Sequence, residues 1–322
     1  MPKVSIIVPV YNAEDYLDVC LKSLVNQSFD DLEIIVIDDA SSDNSLKIIK
    51  EYADKYSFVK AYYNDENLGQ SVTRNKGLDL AKGEYIGFLD ADDYVSLDMY
   101  KTMYNAALKS DFPDIIISSL AFVKDNSRAF KSYDRDLNGR CYNVLDNPNL
   151  ILDQSPSCCN KLFSKKLIGD YRFIPGVMWE DVAFTYSNLI KADRILMMNN
   201  VDYFYRRDIS KGVSSKGYRS DVNTFDAFTV AKEIEKVAKE CDRYEALGKQ
   251  VKFLQMACVL QRISEIECWP EDISGVKEEM YGLILENFGD LNGVDTALLS
   301  SRVSLDVIKE FEEFSQNKSK RL

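Results

Sequence analysis

The sequence predicts an α/β protein, a doubly wound sheet followed by an all-helical C-terminal domain, and three observations predict it. Short β-branched runs such as VSIIVPV (4–10) and LEIIVID (32–38) alternate with segments whose apolar residues recur every three or four positions. Strands that alternate with helices require crossovers over a sheet face, which makes the pairing parallel. Beyond about residue 218 the strand pattern stops and only helical spacing remains.

Each element follows from its local pattern. VSIIVPV is a near-continuous apolar run, as a strand buried on both faces should be. Leu17, Cys20, Leu21 and Leu24 then fall at helical spacing, and LEIIVID is a second buried strand. Asp43 or a nearby Ser caps the next helix, which buries Leu46, Ile49 and Ala53 and turns Lys47 and Glu51 to water. FVKAYYN (58–64) is a third extended segment; after the loop NLG a helix carries Val72, Leu78 and Ala81, with Gly83 as its stop. EYIGFL (84–89) is the next strand, followed by a helix (Met99, Tyr100, Met103, Ala107) and the strand DIIISS (114–119). The polar stretch to about 150 holds strands and loops without a readable order. A helix after WED runs to about Lys191, and ILMM and VDYFYR read as further strands. Val230, Ile234, Val237 and Cys241 mark one C-terminal helix, and Leu247, Val251, Leu254 and Cys258 a second. Weaker helical patterns cover 271–288 and 303–315. The expected domains are 1–217 and 218–322.

Composition narrows the function classes. The 322 residues are 46 % hydrophobic, enough for a sizeable core, and their net charge is −12. That balance excludes a nucleic-acid partner, which requires a basic stripe. The seven cysteines show no C-x-x-C spacing and there is no histidine, so a zinc site is not expected and the thiols suit a reducing cytosol. The opening MPKVSIIVPVY lacks a small-residue cleavage site and reads as a buried strand rather than a signal peptide. No apolar run is long enough to span a bilayer. The expected location is cytoplasmic. The basic KSKRL at the end reads as a frayed polar terminus or as a peripheral contact with the inner face of an anionic membrane.

In an open parallel sheet, ligands bind beyond the carboxyl ends of the strands. Asn12, Asp38-Asp39 and Asp90-Ala91-Asp92 all fall at such ends. Any one of them also suits a turn or a helix cap; three on one edge favour a site. FLDADDY (88–94) crowds Asp90, Asp92 and Asp93 together, and carboxylates this close repel unless a cation lies between them. A dinucleotide-binding loop fails because no G-x-G-x-x-G follows a strand. A calcium loop starting at Asp90 requires glycine and glutamate where Val95 and Lys101 stand. An aspartyl-nucleophile phosphatase would place D-x-D on the first strand, with Thr or Val where Tyr94 stands. A divalent cation held by one or two carboxylates and the oxygens of a substrate diphosphate suits the pattern better, since Mg²⁺ and Mn²⁺ prefer hard oxygen ligands.

Five segments in order, VSIIVPVYNAEDYL, IIVIDDASSDNS, NLGQSVTRNKGL, GEYIGFLDADD and WEDVAF, resemble the family-2 inverting glycosyltransferases of the GT-A fold. The resemblance covers about residues 3 to 215 and implies a mixed sheet. It implies a base-binding loop at Pro9, Val10, Tyr11 and Asn12, and Asp39 as acceptor for the pyrimidine ring. Asn67, Gly69, Arg74 and Ala91 are implied near the nucleotide, with Asp90 by the ribose. Asp92, with Asp90, is implied as ligand of Mn²⁺ or Mg²⁺, and Asp181 as catalytic base beside Glu180. Two departures stand out: Ala40 occupies a position where the family often has Gly, and the late histidine that some members give to the metal is absent.

The implied reaction is displacement at the anomeric carbon of a UDP-sugar by a sugar hydroxyl, with inversion. Glucose and galactose are the foremost donor sugars. Glu180 is read either as orienting hydroxyls or as a helix-start carboxylate, and Trp179 as an acceptor platform or as packing. Lys161, Arg206 and Arg207 are read as diphosphate contacts or as solvated surface, and RRDISKGVSSKG (206–217) as a covering loop. The helical addition resembles those of bacterial enzymes that build surface polysaccharides or extend glycoprotein glycans, which implies a glycan or glycoprotein acceptor or a glycosylation-complex partner. The alternative is a catalytically silent nucleotide-sugar or carbohydrate-binding subunit of such a complex.

Overall fold

Every residue of VSIIVPV is buried in β1 (Val4–Val10), and the computed structural model shows why such a run has to sit mid-sheet. After α1 (Glu14–Val25), which buries Leu17, Cys20, Leu21 and Leu24, the strand β2 (Leu32–Asp38) pairs parallel with β1, placing Val10 beside Asp38. Then come α2 (Ser45–Lys55), β3 (Val59–Tyr63) parallel to β2, α3 (Gln70–Leu80) and β4 (Tyr85–Phe88), which takes the other edge of β1. The structure describes residues 1–124, 127–131, 139–207, 223–267 and 273–319.

The rest of the sheet is mixed. After β5 (Tyr94–Val95) and α4 (Met99–Lys109), the long β6 (Ile115–Lys124) pairs with β7 (Ser127–Lys131); β8 (Arg140–Asn143) and β9 (Lys161–Ser164) follow. β9 runs antiparallel between β4 and β6. The short α5 (Lys165–Ile168) starts at a Ser164 cap. After α6 (Glu180–Lys191), ILMM and VDYFYR form one strand, β10 (Arg194–Arg206), rather than two. Register shifts between Met197 and Val201 and between Val201 and Tyr203 let it pair with β6 throughout while meeting β8 and β5 at its two ends. The order is β3-β2-β1-β4-β9-β6-β10-β5.

Two local expectations change. Gly83 does not end α3, which stops at Leu80 with Ala81 extended. Gly83 instead permits close packing, since a Cβ there would lie 2.6 Å from the Ser5 nitrogen. In α2, Ile49 is buried while Leu46 and Ala53 are only half-buried.

Contacts divide the chain into two compact units, residues 1–147, 156–176 and 192–209, and residues 148–155, 177–191 and 210–322. The second contains α6 and the C-terminal helices α7 (Asp226–Glu240), α8 (Tyr244–Ile266), α9 (Ser274–Asn287), α10 (Thr296–Leu299) and α11 (Leu305–Ser319). In α8 the buried residues go round the helix, including Leu247, Val251, Leu254, Val259 and Ile263, so it is the central element of its unit. Among the described residues, no helix is long and apolar enough to cross a membrane. The expected boundary at 217/218, most of the RRDISKGVSSKG segment and the last residues of KSKRL lie outside the described residues.

Candidate functional site

The first unit brings three strand-end loops together. Asn12 leaves β1 with φ 49° and Ala40 leaves β2 with φ 59°, both left-handed. Asn tolerates that conformation, whereas a residue such as Ala is held in it at a cost of about 1–2 kcal/mol. Hydrogen bonds supply the hold. The Asn12 amide donates to Ser41 Oγ (3.0 Å), and Asn12 Oδ1 accepts from the Ser42 amide (2.8 Å). The Asp39 amide donates to the Val10 carbonyl (2.8 Å). Glu14 and Asp43 brace the same pair of loops: Asp43 Oδ2 accepts from the Glu14 amide (3.0 Å), and Glu14 Oε2 from the Asn44 amide (3.0 Å). Pro9 and Val10 are buried beneath this loop, while the Tyr11 ring is 52 % exposed.

Asp39 is buried and pins the third loop. Its Oδ1 accepts from Asn64 Nδ2 (2.8 Å) and the Leu68 amide (3.0 Å), and its Oδ2 from the Gly69 amide (2.8 Å). Gly69 stands at φ 85°, ψ 162°, directly before α3. Asn67, exposed, also accepts from the Gly69 amide (3.1 Å). Asp38 is buried too; its Oδ2 accepts from the Ser41 amide (3.1 Å), and its Oδ1 has no hydrogen-bond partner among the described residues.

The carboxylates of FLDADDY have separate fates. Asp90 Oδ1 pairs with Arg74 Nη2 at 2.7 Å and accepts from Gln70 Nε2 at 3.2 Å. Arg74 is itself 2 % exposed and lies over the Phe173 ring, 5.3 Å from its centroid. Asp93 is buried in the structural role: it accepts from the Tyr203 hydroxyl and from the Arg206 amide (2.7 Å). Burial, followed by the charges of Asp92 and Asp90, pushes its carboxyl well above the ordinary range. Asp92 remains. Its carbonyl accepts from Arg206 Nε (2.9 Å), but no described side chain donates a hydrogen bond to its carboxylate. Burial and then the Asp90 charge raise that carboxyl to about 6. Ala91, between the two, is buried.

An under-compensated, half-buried carboxylate next to a second one suits a hard divalent cation. The described residues contain no group of three or more His, Cys, Asp or Glu side chains able to hold a metal. An ion at Asp92 and Asp90 therefore fits only as one whose shell is completed by oxygens from outside the protein, which Mg²⁺ and Mn²⁺ accept.

Lys161 is wholly buried in β9, its ammonium donating to the Ser157 carbonyl (2.7 Å) and Asn160 Oδ1 (2.9 Å). Arg207 is exposed, its guanidinium 3.8 Å from the Phe122 ring centroid. Glu180 and Asp181 form the first turn of α6, half-exposed, in the second unit. The sequence reading missed Asn64, Gln70 and Tyr203, which hold Asp39, Asp90 and Asp93. Single polar residues in loops and strands give no periodic signal. Arg206, expected as a diphosphate contact or as solvated surface, braces the Asp92 loop, its guanidinium 5.4 Å from the Tyr16 ring and 5.3 Å from the Tyr94 ring.

Comparison with known proteins gives a consistent picture. The family model described as Glycosyl transferase family 2 matches residues 5–172. A cholesterol galactosyltransferase of Borreliella burgdorferi is 31 % identical over 315 residues, covering 87 % of this chain and 84 % of that protein. A poly(ribitol-phosphate) beta-glucosyltransferase of Bacillus spizizenii is 34 % identical over 212 residues, 63 % of this chain but only 32 % of the relative's length. Among solved structures, S. aureus TarS 1-349 in complex with UDP-GlcNAc superposes with a TM-score of 0.70 at 22 % identity, covering 99 % of this chain and 92 % of that one. That likeness establishes the GT-A-type fold.

Proposed function

Because the chain belongs to glycosyl transferase family 2, we propose that it moves a hexose, glucose or galactose foremost, from a UDP-sugar to a sugar hydroxyl of a surface polysaccharide or glycoprotein glycan, with inversion. One observation carries the reading: of the crowded acids, Asp90 is matched by Arg74 and Asp93 by Tyr203 and Arg206, which leaves Asp92 for a cation that arrives with its diphosphate. The named galactosyl- and glucosyltransferase relatives, and the neighbour solved with UDP-GlcNAc, support the donor class.

In this reading the main chain of Pro9 to Asn12 and the Tyr11 ring receive the base, and Asp39 accepts from the pyrimidine while fixing the Gly69 loop. Asn67, Gly69 and the Arg74–Asp90 pair border the nucleotide, with Ala91 small enough to leave room for the ribose. Mn²⁺ or Mg²⁺ at Asp92 and Asp90 would offset the charge that develops on the leaving diphosphate. Asp181 takes the acceptor hydroxyl proton as the new bond to the anomeric carbon forms and the bond to the diphosphate oxygen breaks. Such a base contributes ~10²–10⁴-fold. Glu180 orients hydroxyls beside it. Lys161 and Arg207 would meet the diphosphate only by leaving the contacts described above. The protein would act in the cytoplasm, at the inner membrane face or within a glycosylation complex.

The test is UDP release from UDP-glucose, UDP-galactose and UDP-N-acetylglucosamine. Turnover with Mn²⁺ or Mg²⁺ that stops with a chelator, falls in Asp92→Asn and vanishes in Asp181→Asn while UDP still binds is the expected result. UDP binding without any turnover across the panel would instead favour the silent-subunit alternative.

A further inference from the structure

The second unit buries an arginine. Arg262, in α8, is 0 % exposed. Its guanidinium carbon lies 5.2 Å from the centroid of the Trp179 ring, and its Nη1 is 3.6 Å from Glu265 Oε2 on the same helix. A buried guanidinium is a costly way to fill a helical core, where a leucine would carry no desolvation penalty. What it touches explains its presence. Trp179 immediately precedes Glu180 and Asp181, and its backbone is left-handed at φ 59°. A bulky residue stays in that conformation only when its surroundings over-determine it.

The surroundings do so from three directions within the unit. Before the corner, the Met178 amide donates to Asp226 Oδ2 at the start of α7 (2.8 Å). At the corner stands Arg262. Beyond it, the Tyr186 hydroxyl of α6 donates to the Gln154 carbonyl (3.0 Å) and accepts from Arg302 Nη1 (2.8 Å). Residues of α7 and α8 therefore grip the corner at Met178 and Trp179, and Arg302, between α10 and α11, grips the helix that follows it.

We infer that Arg262 and Asp226 are positioning residues for the glycosyl transfer step, and that the helical region is the frame that sets the orientation of Asp181. This rests on Asp181 being the base. It differs from a purely acceptor-binding role for the helices, since it assigns them a part in turnover of the donor even with water as acceptor.

The experiment uses the full chain with Mn²⁺ and whichever UDP-hexose of the panel is turned over fastest, read as UDP release, with UDP affinity measured by calorimetry. A misplacement of about 1 Å costs on the order of 10²-fold. Arg262→Met is therefore expected to lower kcat by roughly 10–100-fold, with KM for the donor and Kd for UDP held within about twofold. Arg262→Lys, which keeps a cation beside the ring, should recover part of the loss. Ile284→Ala removes a buried apolar side chain from α9; at a comparable loss of melting temperature it should leave kcat within about twofold.

Wild-type kcat in Arg262→Met, or an equal kcat loss in Ile284→Ala, overturns the assignment. Should Arg262→Met not fold, Asp226→Ala, which removes the acceptor of the Met178 amide, must show the same division between kcat and KM, and its absence overturns the assignment equally. Asp181→Asn separates the two readings. Full turnover there removes the base, whereas a dead Asp181→Asn beside a fully active Arg262→Met removes only the frame.

Discussion

Gly69 shows how much of the site depends on single backbone positions. Its φ of 85° with ψ 162° belongs to a region that only glycine occupies without strain, and a Cβ there would meet nothing within 4 Å. The penalty for Gly69→Ala is therefore conformational rather than steric, on the order of 1–3 kcal/mol. Relaxing the strain would pull the Gly69 amide off Asp39. We expect a lower melting temperature together with weaker UDP binding by calorimetry; both unchanged would refute the role. Asp202 carries a pH dependence. It is buried, accepts from Ser96 Oγ at 2.6 Å, and has no hydrogen-bond partner at Oδ2 among the described residues. Burial raises its carboxyl above the ordinary range. Between the ordinary and the raised value the folded protein holds a proton that the unfolded chain has released, so this group's contribution to stability falls as pH rises through that window. Asp202→Asn should flatten the fall of the urea midpoint as pH rises above the ordinary carboxylate range. Asp92 and Asp93, raised likewise, would keep part of the slope, but an unaltered profile would contradict the assignment.

Among the elements, β10 does more than complete the sheet. Its Tyr203 and Arg206 fasten the loop that carries Asp90 and Asp92, and β5 pairs with it two residues past Asp92. Tyr203→Phe leaves a buried carboxylate short of a donor, which costs about 1–3 kcal/mol. Urea unfolding should show that loss, with a raised KM for the donor; a neutral result would mean that the strap is dispensable. This element also marks the limit of what the sequence reveals. β1, β2 and α1 are legible because their apolar periodicity reports burial directly, and Asn12, Asp39, Asp90 and Asp92 are legible because they fall at strand ends. In α3 the same signal misleads: Val72 is half-buried while Ser71, Thr73, Arg74 and Gly77 are buried. That face is held by polar contacts and close backbone packing, which hydrophobic spacing does not register. The buried Lys161 and Arg262 escape detection for the same reason. The antiparallel β9 escapes because its partners are distant in sequence, and the mixed sheet was implied by the family resemblance rather than by the alternation of elements.

At the scale of the whole molecule, the C-terminal helices complete a core that begins earlier in the chain. Phe184, Leu189 and Ile190 of α6 are 0 % exposed, and α6 packs in the same unit as α7. A chain ending at residue 217 would leave these side chains without that cover, each worth roughly 1.5–3 kcal/mol. It is expected to aggregate or to lose its cooperative melt. A soluble, cooperatively melting fragment would show that α6 finds cover without the helices.

The interleaving of the two units along the chain bears on how the protein can be recombined. Residues 148–155 and 177–191 belong with the C-terminal region although stretches of the sheet unit flank them. A chimera with a single crossover after β10 would inherit a foreign tail against a native Trp179 corner. Exchange between relatives should therefore succeed when those two inserts travel with the tail, which makes three separated pieces of sequence one heritable module.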